Sequence, residues 1–131
     1  MAYEGSQICI PGLTASADLS AAANQYKYVE MSADKQVNVT NANTDKAVGV
    51  LQNRPASGEA AVVCAIGITK LQGDADLAFG DSIGPSADGQ AAAYTASDTT
   101  KHINGTVIEG NGAAGGYITA IVVCGGTRTL A

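Results

Sequence analysis

Ser32-Ala33-Asp34-Lys35-Gln36-Val37 returns 54 positions further on as Ser86-Ala87-Asp88-Gly89-Gln90-Ala91. In each copy a short turn (Ala33-Asp34-Lys35, then Ala87-Asp88-Gly89) separates apolar stretches, and Asp and Gly are residues that tolerate the positive φ of a tight hairpin loop. A spacer and a short apolar run follow each copy, Val48-Gly49-Val50-Leu51 in the first half and Gly105-Thr106-Val107-Ile108 in the second. Next comes a Gly-containing turn, Ala56-Ser57-Gly58 and then 112–116, and each half closes on Val-Val-Cys, at 62–64 and 122–124, now 60 positions apart. Loop insertions absorb that drift at small entropic cost. The recurrence predicts two pseudo-repeats, at about 26–71 and 80–124, each a strand, hairpin turn, strand, crossing loop, strand, Gly turn and strand. One half alone leaves an apolar face bare. Two halves together bury it, which predicts a compact β-barrel, tulip-like or sandwich domain.

Working outward, Val and Ile collect in short runs between Gly, Asn, Asp and Ser clusters, and no long segment keeps a 3.6-residue period, so the fold class is all-β. Predicted strands are Gln7–Ile10, Tyr26–Met31, Gln36–Thr40, Ala47–Gln52, Ala60–Leu71, Ser82–Gly84, Gln90–Tyr94, Ile103–Glu109 and Gly116–Cys124. Asp18–Gln25 is the one place for a short helix. Residues 1–25 therefore read as an extended N-terminal arm with a possible short helix, and 26–131 as the β domain. With 131 residues, one domain is expected. The absence of Trp, a single Phe and 16 Gly leave small residues to do much of the packing.

Composition also narrows function. A net charge of −5 with seven scattered Lys and Arg argues against nucleic acid, whose phosphates need clustered cations. No run approaches the ~18 apolar residues of a membrane span, and 1–6 lack the basic start and apolar stretch of a secretory signal, so synthesis and folding in a cytoplasm are expected. In that setting the sequons at Asn38 and Asn104 carry little. Cys9, Cys64 and Cys124 are odd in number and far apart, which predicts free thiols, with Cys64 and Cys124 in apolar runs as core residues.

Catalytic and metal constellations are missing from the pattern. His102 is the only histidine and lies in the polar run 97–102, read as a solvated loop, so a Ser/His/Asp or Cys/His relay has no second member to choose. One His and three dispersed Cys do not make a zinc site. Asp74, Asp76 and Asp81 lack the spacing and terminal Glu of a calcium loop and read as solvated carboxylates. The Gly-rich stretch 110–116 has neither the Lys-Ser/Thr nor the helix of a phosphate cradle and reads as a turn. Lys35 lacks the Met-Lys-Met setting of a carrier-domain hairpin. Neither an enzyme nor a cofactor is expected.

Ala47-Val48-Gly49-Val50-Leu51-Gln52, then Ala56-Ser57-Gly58-Glu59, Val62-Val63 and Gly67-Ile68-Thr69-Lys70-Leu71, resembles the middle of the small head decoration (capsid cement) proteins of tailed bacteriophages. Leu77-Ala78-Phe79-Gly80-Asp81-Ser82-Ile83 leading to Ala87-Asp88-Gly89-Gln90-Ala91 is similar to the same family. The likeness runs from Tyr26 to Val123 and leaves 1–25 and 127–131 unmatched. It implies a structural virion protein on the outer capsid surface that holds major capsid subunits together, as a homo-oligomer and by preference a trimer. In the arm, Tyr3, Ile8, Ile10 and Leu13 are the expected capsid contacts, because an apolar strand ended by Pro11-Gly12 can join the edge of a partner's sheet. The competing reading makes this run an ordinary edge strand of its own barrel. A second function class, a glycan- or receptor-binding β module, expects clustered aromatics, whereas Tyr3, Tyr26, Tyr28, Tyr94 and Tyr117 are spread along the sequence.

Overall fold

The computed structural model describes residues 2–94, 101–111, 113–124 and the backbone of 128–129. Among these residues there are twelve strands and no α-helix. In chain order they are β1 (Gln7–Cys9), β2 (Thr14–Ala15), β3 (Tyr28–Ala33), β4 (Gln36–Val39), β5 (Ala47–Leu51), β6 (Val63–Gln72), β7 (Ser82–Pro85), β8 (Ala91–Ala93), β9 (His102–Ile103), β10 (Gly105–Glu109), β11 (Tyr117–Val123) and β12 (Arg128–Thr129). Nine form an open sheet in the order β2-β4-β3-β5-β6-β11-β10-β7-β8. β1 adds to β6, and β9 pairs with β12 separately.

All-β is thus the observed class. The central pair is β6 and β11, antiparallel from Ile66↔Val123 to Gln72↔Tyr117. On either side of it stand a strand and then a hairpin: β5 with β3/β4, and β10 with β7/β8. The two hairpins share one backbone detail. Lys35 at φ 58° and Gly89 at φ 82° occupy the same place in the recurring segments, and a left-handed residue turns the chain in both. The closing Val-Val-Cys segments differ: Val63 and Cys64 open β6, whereas Val122 and Val123 end β11 and Cys124 follows it.

Alternation places the core. From β6, β7, β10 and β11, Leu71, Ile83, Val107, Ile118 and Val122 meet Tyr28 and Cys124 in one buried cluster. A second cluster joins Val29, Val37, Leu51 and Val63 to Leu13, Ala15 and Leu19 from the N-terminal segment. Cys64 and Cys124 are buried and unbridged, as expected, and burial pushes their thiols up to about 11 and about 12. His102 differs from its solvated-loop reading. It lies half-buried in β9, paired with Thr129, and its Nδ1 is buried without a hydrogen-bond partner. The rest of that polar run, 97–100, is outside the described residues. The expected helix over Asp18–Gln25 shrinks to a 3-10 turn, Ala22–Asn24, that buries no residue.

Candidate interaction surfaces

The N-terminal segment is stitched along β6. Gly5 N–H donates to the Ile68 carbonyl (3.0 Å), Ile68 N–H to the Ser6 carbonyl (3.1 Å), and Ile10 N–H to the Val63 carbonyl (3.0 Å). β1 pairs Gln7↔Gly67, Ile8↔Ile66 and Cys9↔Cys64 between these points, with a register shift after Ile8. The approach is close enough that a Cβ on Gly67 would meet the Ser6 carbonyl oxygen and lie 2.7 Å from Gln7 Cα. Further on, Ala61 N–H donates to the Leu13 carbonyl (2.9 Å), and β2 runs parallel to β4 with Thr14↔Gln36.

This arrangement divides the four expected contact residues. Tyr3 and Ile8 face solvent, at 43% and 64% exposure, whereas Leu13 is 5% exposed inside the second core cluster. Ile10 is only partly buried and packs against that same cluster. Leu13 is therefore corrected from an outward anchor to a core residue, because the turn at Pro11-Gly12 (Gly12 φ 79°) folds the chain back over Val37 and Ala61. A shallow groove of about 460 Å³ remains here, lined by Ile10, Pro11, Leu13, Ala61 and Val62 among others.

The tyrosines, distant in sequence, are partly gathered by the sheet. Tyr26 and Tyr117 meet edge to face, with ring centroids 5.7 Å apart and planes at 87°. Lys70 Nζ stands 5.7 Å from the Tyr26 ring centre, and Tyr3 N–H donates to Thr119 Oγ1 (2.8 Å), two residues along β11 from Tyr117. Tyr26 holds φ 66°, a conformation uncommon for a bulky residue. Burial, then the charge and hydrogen bond of Glu4, raises its phenol above the ordinary range.

Sequence reasoning did not single out Phe79, the only Phe, which is 80% exposed. Its turn is rigid. Asp81 Oδ2 accepts from Ala78 N–H (3.0 Å), Asp81 N–H donates to the Ala78 carbonyl (3.2 Å), and Gly80 N–H (φ 85°) donates to the Val107 carbonyl (2.8 Å). The available signal was the pattern Ala-Phe-Gly-Asp, an aromatic presented by a self-capped turn. Asp81 is thereby part of a backbone turn. Among the described residues, no group of three His, Cys, Asp or Glu is placed to hold a metal ion, and no helix is long and apolar enough to cross a membrane.

No protein-family model matches the sequence, and no curated protein resembles it at the level of sequence. The fold does have a counterpart: solved structures match it, among them the crystal structure of the head fiber gp8.5 N base in bacteriophage phi29. The TM-score is 0.58 at 14% identity, over 84% of this chain and 89% of that one. At that identity the likeness is one of fold.

Proposed function

We propose that this protein is a non-enzymatic structural component of a phage virion, bound to the outside of the capsid through the major capsid protein and stabilising contacts between coat subunits. The observation that carries the reading is the shared fold with a phage head fiber base across 84% of the chain. The resemblance of Ala47–Leu71 and Leu77–Ala91 to head decoration proteins points the same way from the sequence. The mechanism is mass action: a ligand that binds only the assembled shell raises the free energy of taking it apart by RT ln(1 + [L]/Kd).

Phe79 and the outward part of the arm, Tyr3 and Ile8, are the proposed coat contacts, since they are large apolar side chains exposed on hydrogen-bonded backbone, and buried aromatic and aliphatic anchors dominate interface energetics. The test uses heads of the virus that carries this gene, assembled without the protein. Purified protein should co-sediment with such heads at saturable stoichiometry and raise the temperature at which they release DNA. Heads that bind none of it, or bind it with an unchanged release temperature, would refute the proposal.

One observation favours a second reading, a surface-displayed glycan- or receptor-binding module: Tyr26 and Tyr117 lie together, with Tyr3 tied to the neighbouring Thr119. Under that reading Tyr117→Ala abolishes attachment to host-cell envelopes and leaves head binding intact.

A further inference from the structure

Cys9 and Cys64, far apart in sequence, are direct partners across the pairing of β1 with β6. The register shift brings them together. Continued regularly from Gln7↔Gly67 and Ile8↔Ile66, the ladder would set Cys9 against Ala65, and the irregularity after Ile8 moves it on to Cys64. Bulges re-aim side chains in this way. Ile10 N–H donates to the Val63 carbonyl (3.0 Å), a bond between the residue after Cys9 and the residue before Cys64. That placement makes the cysteines a pair without mutual backbone hydrogen bonds, the kind whose Cα atoms stand about 4.5 Å apart and whose side chains are closest. A disulfide spans Cα separations of about 4.4–6.8 Å.

The two thiols also lie on one side of the sheet. Cys9 Sγ donates to Gln7 Oε1 (3.9 Å), Gln7 Nε2 to Gln52 Oε1 (3.4 Å), and Gln52 Nε2 to Thr69 Oγ1 (2.8 Å). That chain of bonds ends on the face of β6 that alternation gives to Thr69 and Leu71, and Leu71 shares its core cluster with Cys64. Charge on Cys9 is felt at Cys64, second only to burial in raising that thiol. Cys124 belongs to the same cluster, but its thiol points to the Asn104 carbonyl (4.0 Å).

We infer that Cys9 and Cys64 are a disulfide-forming pair that, once oxidised, latches the N-terminal segment to β6. Without the bond the hold is slight: β1 is only three residues long, and short elements near a terminus are the first to open. A virion protein folds in a reducing cytoplasm and is released into an oxidising medium, where such bonds form. The virion reading supplies only this occasion, and the pairing stands without it. The oxidant is a low-molecular-weight disulfide. The thiolate of the exposed Cys9 attacks one of its sulfurs and expels one thiolate; Cys64, giving its proton to solvent, then attacks the Cys9 sulfur and expels the second. Two protein thiols become one disulfide, and the small disulfide is reduced to two thiols. Cys64 is buried from reagents in solution yet stands beside Cys9, so exchange within the chain is its route to oxidation.

The experiment incubates the full reduced chain with oxidised glutathione and follows intact mass, peptide maps and thermal melts. Mildly alkaline pH is used, because burial holds the Cys64 thiol at about 11 and only the thiolate attacks. The expected product is a single chain lighter by two hydrogens, with Cys9 joined to Cys64 and a Tm about 5–15 °C above that of the reduced chain. Cys9→Ser, a change at an exposed position that leaves the fold intact, should gain neither the bridge nor the rise in Tm. A chain that stops at a glutathione adduct on Cys9, a bridge that takes in Cys124 or a second chain, or a chain left unoxidised overturns the inference. So does a bridge between Cys9 and Cys64 that leaves Tm unchanged, which would mean that it latches nothing.

Discussion

Gly67→Ala tests how firmly the N-terminal segment belongs to the sheet. Gly67 has φ 144°, outside the range comfortable for an L side chain, and an added methyl would press on the Ser6 carbonyl oxygen and on Gln7 Cα at 2.7 Å. The backbone conformation alone costs about 1–2 kcal/mol. The clash must be relieved by backbone on both sides, with loss of one or two β1–β6 hydrogen bonds at about 1 kcal/mol each. The sum is about 2–4 kcal/mol. For a domain of this size, that lowers Tm by about 8–16 °C in a thermal melt followed by circular dichroism. Gly12→Ala is the control: φ is 79° there too, but nothing lies within 4 Å of the new methyl, so only the conformational part of about 1 kcal/mol applies. Equal Tm losses for the two variants would refute the close approach of the arm to β6.

Leu13→Ala should cost about 2–4 kcal/mol of stability because it empties a 5%-exposed site, whereas Ile8→Ala, at 64% exposure, should shift Tm by less than about 2 °C; equal melts would reverse the division of the arm. Phe79→Ala should leave the melt unchanged and weaken head binding at least 10-fold, and unchanged binding would remove Phe79 from the contact surface. A thiol reagent added to native protein should label Cys9 within minutes and spare Cys64 and Cys124 until denaturant is added; rapid labelling of all three would contradict their burial. Glu30 is raised to about 7 by burial, then by the hydrogen bond and charge of Asp45. A carboxyl raised above its unfolded value of 4.5 gives stability that is full below pH 4.5 and lost as pH rises through about 7. Because the site is partly solvated, the loss is at most about 1 kcal/mol, and Glu30→Gln should flatten Tm between pH 5 and 8; an unchanged slope would exclude Glu30 as its source.

The strands were legible because period-2 apolar runs bounded by turn residues encode them locally. The predicted Ala47–Gln52 and Gly116–Cys124 are observed within a residue at each end as Ala47–Leu51 and Tyr117–Val123. The possible helix over Asp18–Gln25 does not form for a local reason: Asp18 Oδ1 accepts from Ser20 N–H (3.0 Å) and Oγ (2.6 Å), holding a turn, and of the remainder only Ala22–Asn24 winds into a 3-10 turn, which buries none of its residues and is too short to sustain a helix. What escaped the sequence is long-range. Nothing in Thr14-Ala15 announces a parallel pairing with β4, and nothing in Leu13 distinguishes an anchor for a partner from a core residue under a folded-back turn. The grouping of Tyr26 with Tyr117 likewise depends on the β6–β11 register, which sets which side chains share a face.

The most direct test is a cryo-electron microscopy map of the mature particle containing this protein, at a resolution that traces strands. The account predicts β-sheet density for the chain on the outer surface of the capsid, in contact with two or more coat subunits, with the Phe79 turn and the Tyr3–Ile8 segment against the shell. Density for the chain on the tail or inside the shell, or none on the particle, would contradict it.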